Sequence, residues 1–524
     1  MFLTEKKKRI FYVVLLFIFS VSINQYYGYQ GLNPIDSFFS FNSGYDILNG
    51  YYPFKDYWTI TGPFIAFIQA FFFKILGVSW FSYVVHASIF NFFISAATFY
   101  TLDKFKLNIN YCFLYALVVS ILAYPSSGTP YVDHHSSILS IISLFCFILA
   151  LKTNLKIYWF LLPIILVLSF LSKQTPTGYF LLIIIFLSII YFIFNFNINK
   201  IIYGALGSIL IVSIFLLILF IGKISLQSFF EQYVLFPLSI GGNRIDFLLP
   251  LEFSRVVLRF KLIHFSSLIL FIVIIKKIIE NHRYLKSGEF LILISLISSS
   301  YALIAHQLMT LNGLFIFFII PILAGFSHIY YLKYLGNKNY VLYLLIFLTV
   351  SSGTYYGYKY VHKRDFLDLR KVNIKSAINP KVLNYKLDGI KWITPMYPNE
   401  PEEEIAKLQK VINIIKKDSR NKTIITDYQF ISVILSLYDN SPSQVWFVNH
   451  VVNQDKKSKF FKIYKEFSIN KLKENKIEIV YIIKPLWGGN DVFENGLSKN
   501  CYTKKEITEV LDSYLLQQCK ELNN

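Results

Sequence analysis

The chain reads as a mainly α-helical, polytopic membrane bundle followed by a small α/β domain, and three observations lead there. Of its 524 residues, 55% are hydrophobic and 18% aromatic, and the mean hydropathy is +0.49. The apolar residues gather in blocks that approach the ~20 residues a helix needs to cross hydrocarbon, where every backbone N–H and C=O must pair internally. These blocks stop near Tyr358, and the mixed-charge remainder is long enough for one small globular domain.

Residues 10–27, 83–102, 111–124, 136–151, 158–171, 178–194, 201–221, 262–279, 290–305, 314–331 and 340–356 form such blocks, giving about eleven spans. Lys6, Lys7, Lys8 and Arg9 precede the first block like the head of a signal peptide. No small-residue cleavage site follows, so the segment reads as a retained anchor.

Residues 63–78 decide the topology, because counting them as a span inverts every later loop. If they lie in the interface, the inner loops carry Lys6 to Arg9, Lys104, Lys106, Lys152, Lys156, Lys200, Lys276, Lys277, Arg283, Lys286, Lys333 and Lys338. The outer loops then hold Lys55, Lys74, Lys173, Lys223, Arg244, Arg255, Arg259 and Lys261. Positive residues are retained inside during insertion, so the interfacial helix is preferred, with the N-terminus inside and the C-terminus outside.

The formal charge of +20 is spread over these loops and the C-terminal region, without a basic-aromatic block that would fit nucleic acid. Topology and lipid head groups account for it. Abundant Lys, Asn, Ile and Phe suit an AT-rich bacterial genome. The expected location is therefore a bacterial inner membrane, with the outer face in the periplasm.

Two domains are expected, a membrane domain over 1–358 and a soluble one over 359–524. In the latter, 402–417 and 456–476 are amphipathic and read as helices, while 423–426 and 478–483 read as short buried strands. Cys112 and Cys146 lie in apolar spans as packing residues. Cys501 and Cys519 fall in the external domain, where both a disulfide and two free thiols stay open. The sequence has no solenoid repeat, no duplicated membrane half, no Walker-type glycine loop, no CxxC and no HExxH. A cytoplasmic ATPase or a zinc protease is unsupported.

The polar islands between spans carry the chemistry. The first external loop, 25–63, contains Asn33-Pro34-Ile35-Asp36-Ser37, then Gly44-Tyr45-Asp46, then Gly50-Tyr51-Tyr52-Pro53-Phe54-Lys55-Asp56-Tyr57-Trp58, and Thr61-Gly62-Pro63-Phe64. An acid soon after the first span, a Tyr-Pro-x-x-Asp turn and Gly-Pro opening an apolar interfacial helix resemble the GT-C glycosyltransferases. That superfamily includes the protein mannosyltransferases and the aminoarabinose transferases of lipid A. The resemblance covers roughly 1–311 and implies an inverting transfer from a polyprenyl-phosphate sugar to a lipid, glycan or protein acceptor, with Asp36 at the catalytic centre. Many members place Glu beside that Asp, and here the neighbour is Ser37. The local alternative for Asp36 is a helix N-cap after Asn33-Pro34. Asp56 and Tyr57 are expected at the acceptor pocket, although Asp56 also suits a turn.

Asp133-His134-His135 resembles the second acidic motif of the same enzymes. It is expected either to hold a divalent cation (Mg, Mn or Zn) together with Asp36 through Asp133 and His134, or to orient a phosphate through imidazolium donors. Adjacent histidines on a helix point apart, so at most one is a direct ligand. The alternative is Asp133 capping the next helix. Lys173 and Gln174, before Pro176, match the Lys-centred break that contacts lipid phosphate in the family; the alternative is a snorkelling lysine. Arg244, Arg255 and Arg259 are a further phosphate clamp or an anchor to anionic lipid. His306 and Gln307 line the acceptor or sugar pocket, or form interhelical hydrogen bonds. The whole proposal requires Asp36 and Asp133 to meet beside one cavity.

Two other classes compete: a transporter or flippase of a lipid-linked glycan, whose acids would lie mid-span, and an O-antigen-type polymerase or ligase, which usually carries a large external loop between late spans. A reporter active only outside the cytoplasm, fused after Tyr358, is expected to give signal. A cytoplasmic signal there inverts the topology.

Overall fold

A computed structural model describes residues 4–239, 251–310, 315–437, 459–486 and 489–523. Each of the eleven apolar blocks is a helix: α1 Glu5–Gly28, α2 Trp80–Lys104, α3 Ile109–Leu122, α4 Val132–Thr153, α5 Lys156–Phe170, α6 Gln174–Phe194, α7 Ile198–Gly222, α8 Lys261–Glu280, α9 Gly288–Thr310, α10 Ile319–Tyr334 and α11 Asn339–Tyr356. Among the described residues, nine helices are long and apolar enough to cross a membrane, counting the helical continuations of α3 and α11. The other two, α5 and α10, have 15 and 16 residues. This architecture is compatible with a multi-pass membrane protein. Helix Pro63–Leu76 has 14 residues, about 21 Å at the α-helical rise and shorter than the hydrocarbon it would have to cross.

Contacts divide the chain into two compact units: one of Met1–Gly28, Val84–Leu216 and Asn243–Phe366, the other of Tyr29–Tyr83, Leu217–Gly242 and Leu367–Asn524. The second unit also takes in the first loop and 217–242, both inside the membrane domain expected over 1–358.

In the first unit α4 is the central helix, packed along α5, α6 and α9. Its most apolar window is 78% buried, against 17% for α7. Serines along α4 let neighbours approach and bind them. Ser140 Oγ lies 3.0 Å from Ser169 Oγ of α5, Ser169 Oγ 2.7 Å from Thr177 Oγ1 of α6, and Ser136 Oγ 2.9 Å from the same Thr177 oxygen. In hydrocarbon, where burial gives helices little reason to associate, small residues and such hydrogen bonds set the packing. Asn91 of α2 ties two neighbours at once, its amide donating to the carbonyls of Ser20 and Ser120.

In the second unit the first loop packs with the C-terminal part of the chain. Gly31 and Leu32 donate to the carbonyls of Lys391 and Ile393 at 3.0 and 3.1 Å, and Lys391 donates back to Tyr29. Gly31 has φ +66°, and a Cβ there would sit 2.3 Å from Leu369 Cδ1, so the position favours glycine. Phe38 packs on Phe430 at 4.7 Å, and Trp58 on Tyr464 at 5.4 Å. Two amphipathic helices, α12 Pro401–Lys417 and α13 Lys459–Glu474, accompany a four-stranded sheet of β1 Lys422–Ile425, β2 Ile479–Ile483, β3 Tyr502–Thr508 and β4 Leu511–Leu516 in the order β1-β2-β4-β3. The expected strands are β1 and β2, paired in parallel. Cys501 and Cys519 form a disulfide, and Cys112 and Cys146 are buried free thiols.

Glu404 of α12 is buried beside this sheet. Its carboxylate accepts from Trp392 Nε1 at 2.8 Å, Thr394 Oγ1 at 3.0 Å and Tyr428 OH at 2.7 Å. Burial raises its pKa, outweighing those three donors, which lower it. Its neutral form is therefore favoured by folding. The associated stability is present below the unfolded value and is lost as pH rises through the folded one. Glu404→Gln should flatten this part of the stability profile from the ordinary carboxyl range upward, about pH 4 and above, measured by thermal unfolding. Glu404→Ala, which strands three donors, should cost about 1–3 kcal/mol at any pH in that range. Identical pH profiles for wild type and Glu404→Gln would refute the assignment.

Candidate functional site

In the first unit, polar groups from three helices meet at Asp133. Tyr131 is the N-cap residue of α4, with no side-chain cap bond, and Asp133 lies in the first turn. Its side chain is 1% exposed and accepts from Lys173 Nζ at 2.6 and 2.7 Å, one hydrogen bond to each oxygen. His306 Nε2 donates to Oδ1 at 3.0 Å. Lys173 precedes α6 and His306 sits in the last turns of α9. Three of the expected polar islands thus converge on one carboxylate. The capping alternative for Asp133 is corrected, since its oxygens face Lys173 and His306. Lys173 does not snorkel away; it turns inward to neutralise a charge that apolar surroundings would otherwise penalise heavily.

The two histidines after Asp133 diverge as helix geometry requires. His134 Nε2 lies 2.7 Å from Ser126 Oγ, its ring against Phe315 at 4.8 Å. His135 Nε2 lies 2.9 Å from His86 Nε2, and its Nδ1 bonds to the Tyr124 hydroxyl. His86 and His135 are fully buried, so one of the facing nitrogens donates and the other accepts. The approach to α4 is held by Arg364, whose guanidinium donates to the carbonyls of Pro125, Ser126 and Ser127 at 2.7, 3.2 and 2.7 Å. Gly128, at φ +76°, lets that loop pass the end of α1, where a Cβ would meet Gly28 Cα at 2.6 Å.

Among the described residues, several buried polar atoms have no hydrogen-bond partner: both amide atoms of Gln307, His134 Nδ1, Ser137 Oγ and Ser299 Oγ. Helical periodicity puts Ser137 one turn deeper than Asp133 and His134 on α4, and Ser299 about two turns deeper than His306 on α9. Unsatisfied buried groups cost about 1–3 kcal/mol each unless water or a ligand completes them. A polar guest between α4 and α9 would supply what they lack.

The remaining site residues are placed as follows. Gln174 opens α6 and is half-buried. Arg255 is half-buried in a π-helical turn and donates to the Leu308 carbonyl at 3.0 Å, while Arg259 is exposed. Arg244 lies outside the described residues. In the second unit, Asp36 is the third residue of the short helix Pro34–Ser37 and is half-buried. The N-cap position is Asn33, so the capping alternative for Asp36 is corrected too. Asn33 Nδ2 donates to Asp368 Oδ2 at 3.3 Å, and Ser37 Oγ accepts from the Asn33 amide at 3.1 Å. Asp56 is buried and serves its turn, accepting from the Tyr52 amide at 2.7 Å, with Lys55 at 3.6 Å. Tyr57 is buried.

Asp133 and His134 do not fit a divalent cation as they stand. Both oxygens of Asp133 already accept from an ammonium, and His134 turns its Nε2 to Ser126. Among the described residues, no three His, Cys, Asp or Glu side chains gather as an ion would require.

Sequence reasoning missed three participants. His86 is a lone histidine in an apolar span, Arg364 follows the last apolar block, and the Ser169–Thr177 pair looks like ordinary small-residue packing. Only the fold brings them to the site.

No protein-family model matches the chain, and none of the curated proteins matches it.

Asp133→Asn and Lys173→Met should each destabilise the bundle by about 3–5 kcal/mol, because each strands a buried charge. The double variant should cost less than the sum, read from unfolding in detergent as a double-mutant cycle. Additive losses would mean the pair is not a coupled unit.

Proposed function

We propose that the protein is an integral-membrane glycosyltransferase of the GT-C type, moving a sugar from a polyprenyl phosphate to an acceptor hydroxyl of an envelope lipid, glycan or protein. The observation that carries this reading is the convergence of Asp133, Lys173 and His306 beside the unpartnered Gln307 amide. It combines a cation suited to phosphate with neutral donors and acceptors suited to sugar hydroxyls.

The roles follow from chemistry. Lys173 has three N–H donors and uses two on Asp133, leaving one for a phosphate oxygen. Asp133 and His306 fix the direction of that ammonium, and thus act as positioning residues. Gln307 presents an amide donor and acceptor to hydroxyl groups. The acceptor oxygen attacks the anomeric carbon, the bond from that carbon to the phosphate oxygen breaks, and the phosphate leaves with the electron pair, its growing charge met by Lys173. The resemblance would make Asp36, in the second unit, the general base that takes the acceptor's proton. No step runs through a metal ion. Asp56 is assigned to the turn, and the acceptor pocket is assigned to His306 and Gln307. The helix Pro63–Leu76 lies in the interface in this reading, and the second unit is periplasmic.

The buried His86–His135–Tyr124 chain favours one rival, a proton-coupled transporter of a lipid-linked glycan, because intramembrane histidine chains are common proton relays.

Purified protein in proteoliposomes, given a panel of radiolabelled polyprenyl-phosphate sugars, should release label to an acceptor fraction. Asp36→Asn should lower that turnover about 10²–10⁴-fold, and Gln307→Leu should raise KM roughly tenfold with a smaller effect on kcat. Unchanged turnover in Asp36→Asn removes it from the chemistry. Label that crosses the bilayer without leaving its lipid replaces the transferase with the transporter.

A further inference from the structure

The Asp133 cluster occupies the end of the first unit where α4 and α6 begin and α9 finishes. The opposite end, where α4 and α6 finish and α5 and α7 begin, carries a second unusual arrangement. Lys200 of α7 is 6% exposed, yet its ammonium has only neutral partners: Asn154 Oδ1 at 2.6 Å and Tyr191 OH at 2.7 Å. It also lies 5.1 Å from the centre of the Tyr191 ring. Trp159 of α5 stacks on that ring at 5.7 Å and 25°, and its indole N–H is buried without a partner.

Two more lysines flank this stack. Lys156 sits over Tyr203, one turn along α7 from Lys200, and Lys286 over Phe194, one turn along α6 from Tyr191. The nearby acids are engaged elsewhere: Glu280 pairs with Lys276 and Lys277, and Glu289 with Lys333. Among the described residues, Lys156, Lys200 and Lys286 make no ion pair with a carboxylate. A buried ammonium with no counter-charge, and an unsatisfied indole N–H on the ring stacked against its Tyr191 partner, call for an anion with several acceptor oxygens. Ile157, Phe196 and Ile198 are exposed around the same loops, an apolar rim that suits an acyl-chain carrier better than a free ion.

We propose that Lys156, Lys200 and Lys286 with the Trp159 N–H form a binding site for the phosphate of an anionic glycerophospholipid, distinct from the transferase site. The site rests on the membrane placement of the bundle and not on the transferase reading.

The test uses the full chain in bilayer discs of mixed phosphatidylglycerol and phosphatidylcholine, with native mass spectrometry counting retained lipid. Wild type should retain phosphatidylglycerol selectively. Lys156→Gln/Lys286→Gln, which leaves the Lys200 bonds intact, should reduce that selectivity by about fivefold per lysine removed. Lys200→Gln should abolish most of the remainder. Lys6→Gln/Lys7→Gln, which removes the same charge from the exposed N-terminal run, should leave it unchanged. Brominated phosphatidylglycerol should quench wild-type fluorescence more than that of Trp159→Phe. Equal retention of the two lipids, an equal fall in the N-terminal control, equal quenching of Trp159→Phe, or displacement of lipid by tens of millimolar inorganic phosphate would each overturn the proposal. The last would identify a free-anion site.

Discussion

A carboxylate placed among apolar helices must bring its counter-charge with it, and in this bundle that requirement fixes the geometry of everything near Asp133. The cation comes from the start of α6 and a second donor from the end of α9, so one side chain of α4 holds three helix ends at a point. About a turn deeper, Ser136, Ser140, Ser169 and Thr177 repeat the tie between α4, α5 and α6 with neutral groups. Two levels of polar contact set both the rotation and the depth of these helices. The unsatisfied amide of Gln307 and nitrogen of His134 are therefore carried on helices that these contacts hold in place.

The second unit obeys a different rule. Here strand pairing, aromatic packing and a disulfide do the holding, as in an ordinary soluble domain. The first loop supplies Phe38 and Trp58 to this core, and the loop backbone is hydrogen-bonded to residues near 391. Asp418 shows the contrast with Asp133. A forked contact from the Arg420 guanidinium, with the Tyr481 hydroxyl, keeps its carboxyl well below the usual range at a site partly open to water. Near the surface such a pair is a modest contributor; inside the bundle the equivalent pair is an obligation.

The helices were legible because hydrocarbon imposes a length and composition that short-range pattern can carry, and all eleven blocks are helices. The strands β1 and β2 were legible as continuous apolar runs. β3 was not, since it reads Tyr-Thr-Lys-Lys-Glu-Ile-Thr and lies mostly exposed, its lysines masking the alternation as they do on many sheet edges. The site divides in the same way. Asp133, Lys173 and His306 were singled out individually, because charge at the mouth of a span is conspicuous. Their pairing was not, since nothing local says that residue 133 meets 173 and 306. His86, Arg364 and Thr177 stayed hidden, because one polar residue in an apolar context looks like packing until its partner is known.

The second unit is assembled from three stretches of chain that synthesis delivers far apart in time. Tyr29, Gly31 and Leu32 emerge early, while the residues they bond to, near 391, come only after every helix of the bundle has been made. At roughly 5–20 residues per second the loop waits tens of seconds for Phe430 and Tyr464, the later partners of Phe38 and Trp58. During that interval Phe38 has Phe41 and Trp80 to pack against, while its contact with Phe430 is still unmade. The order of the gene thus ties the completion of this unit to the end of synthesis.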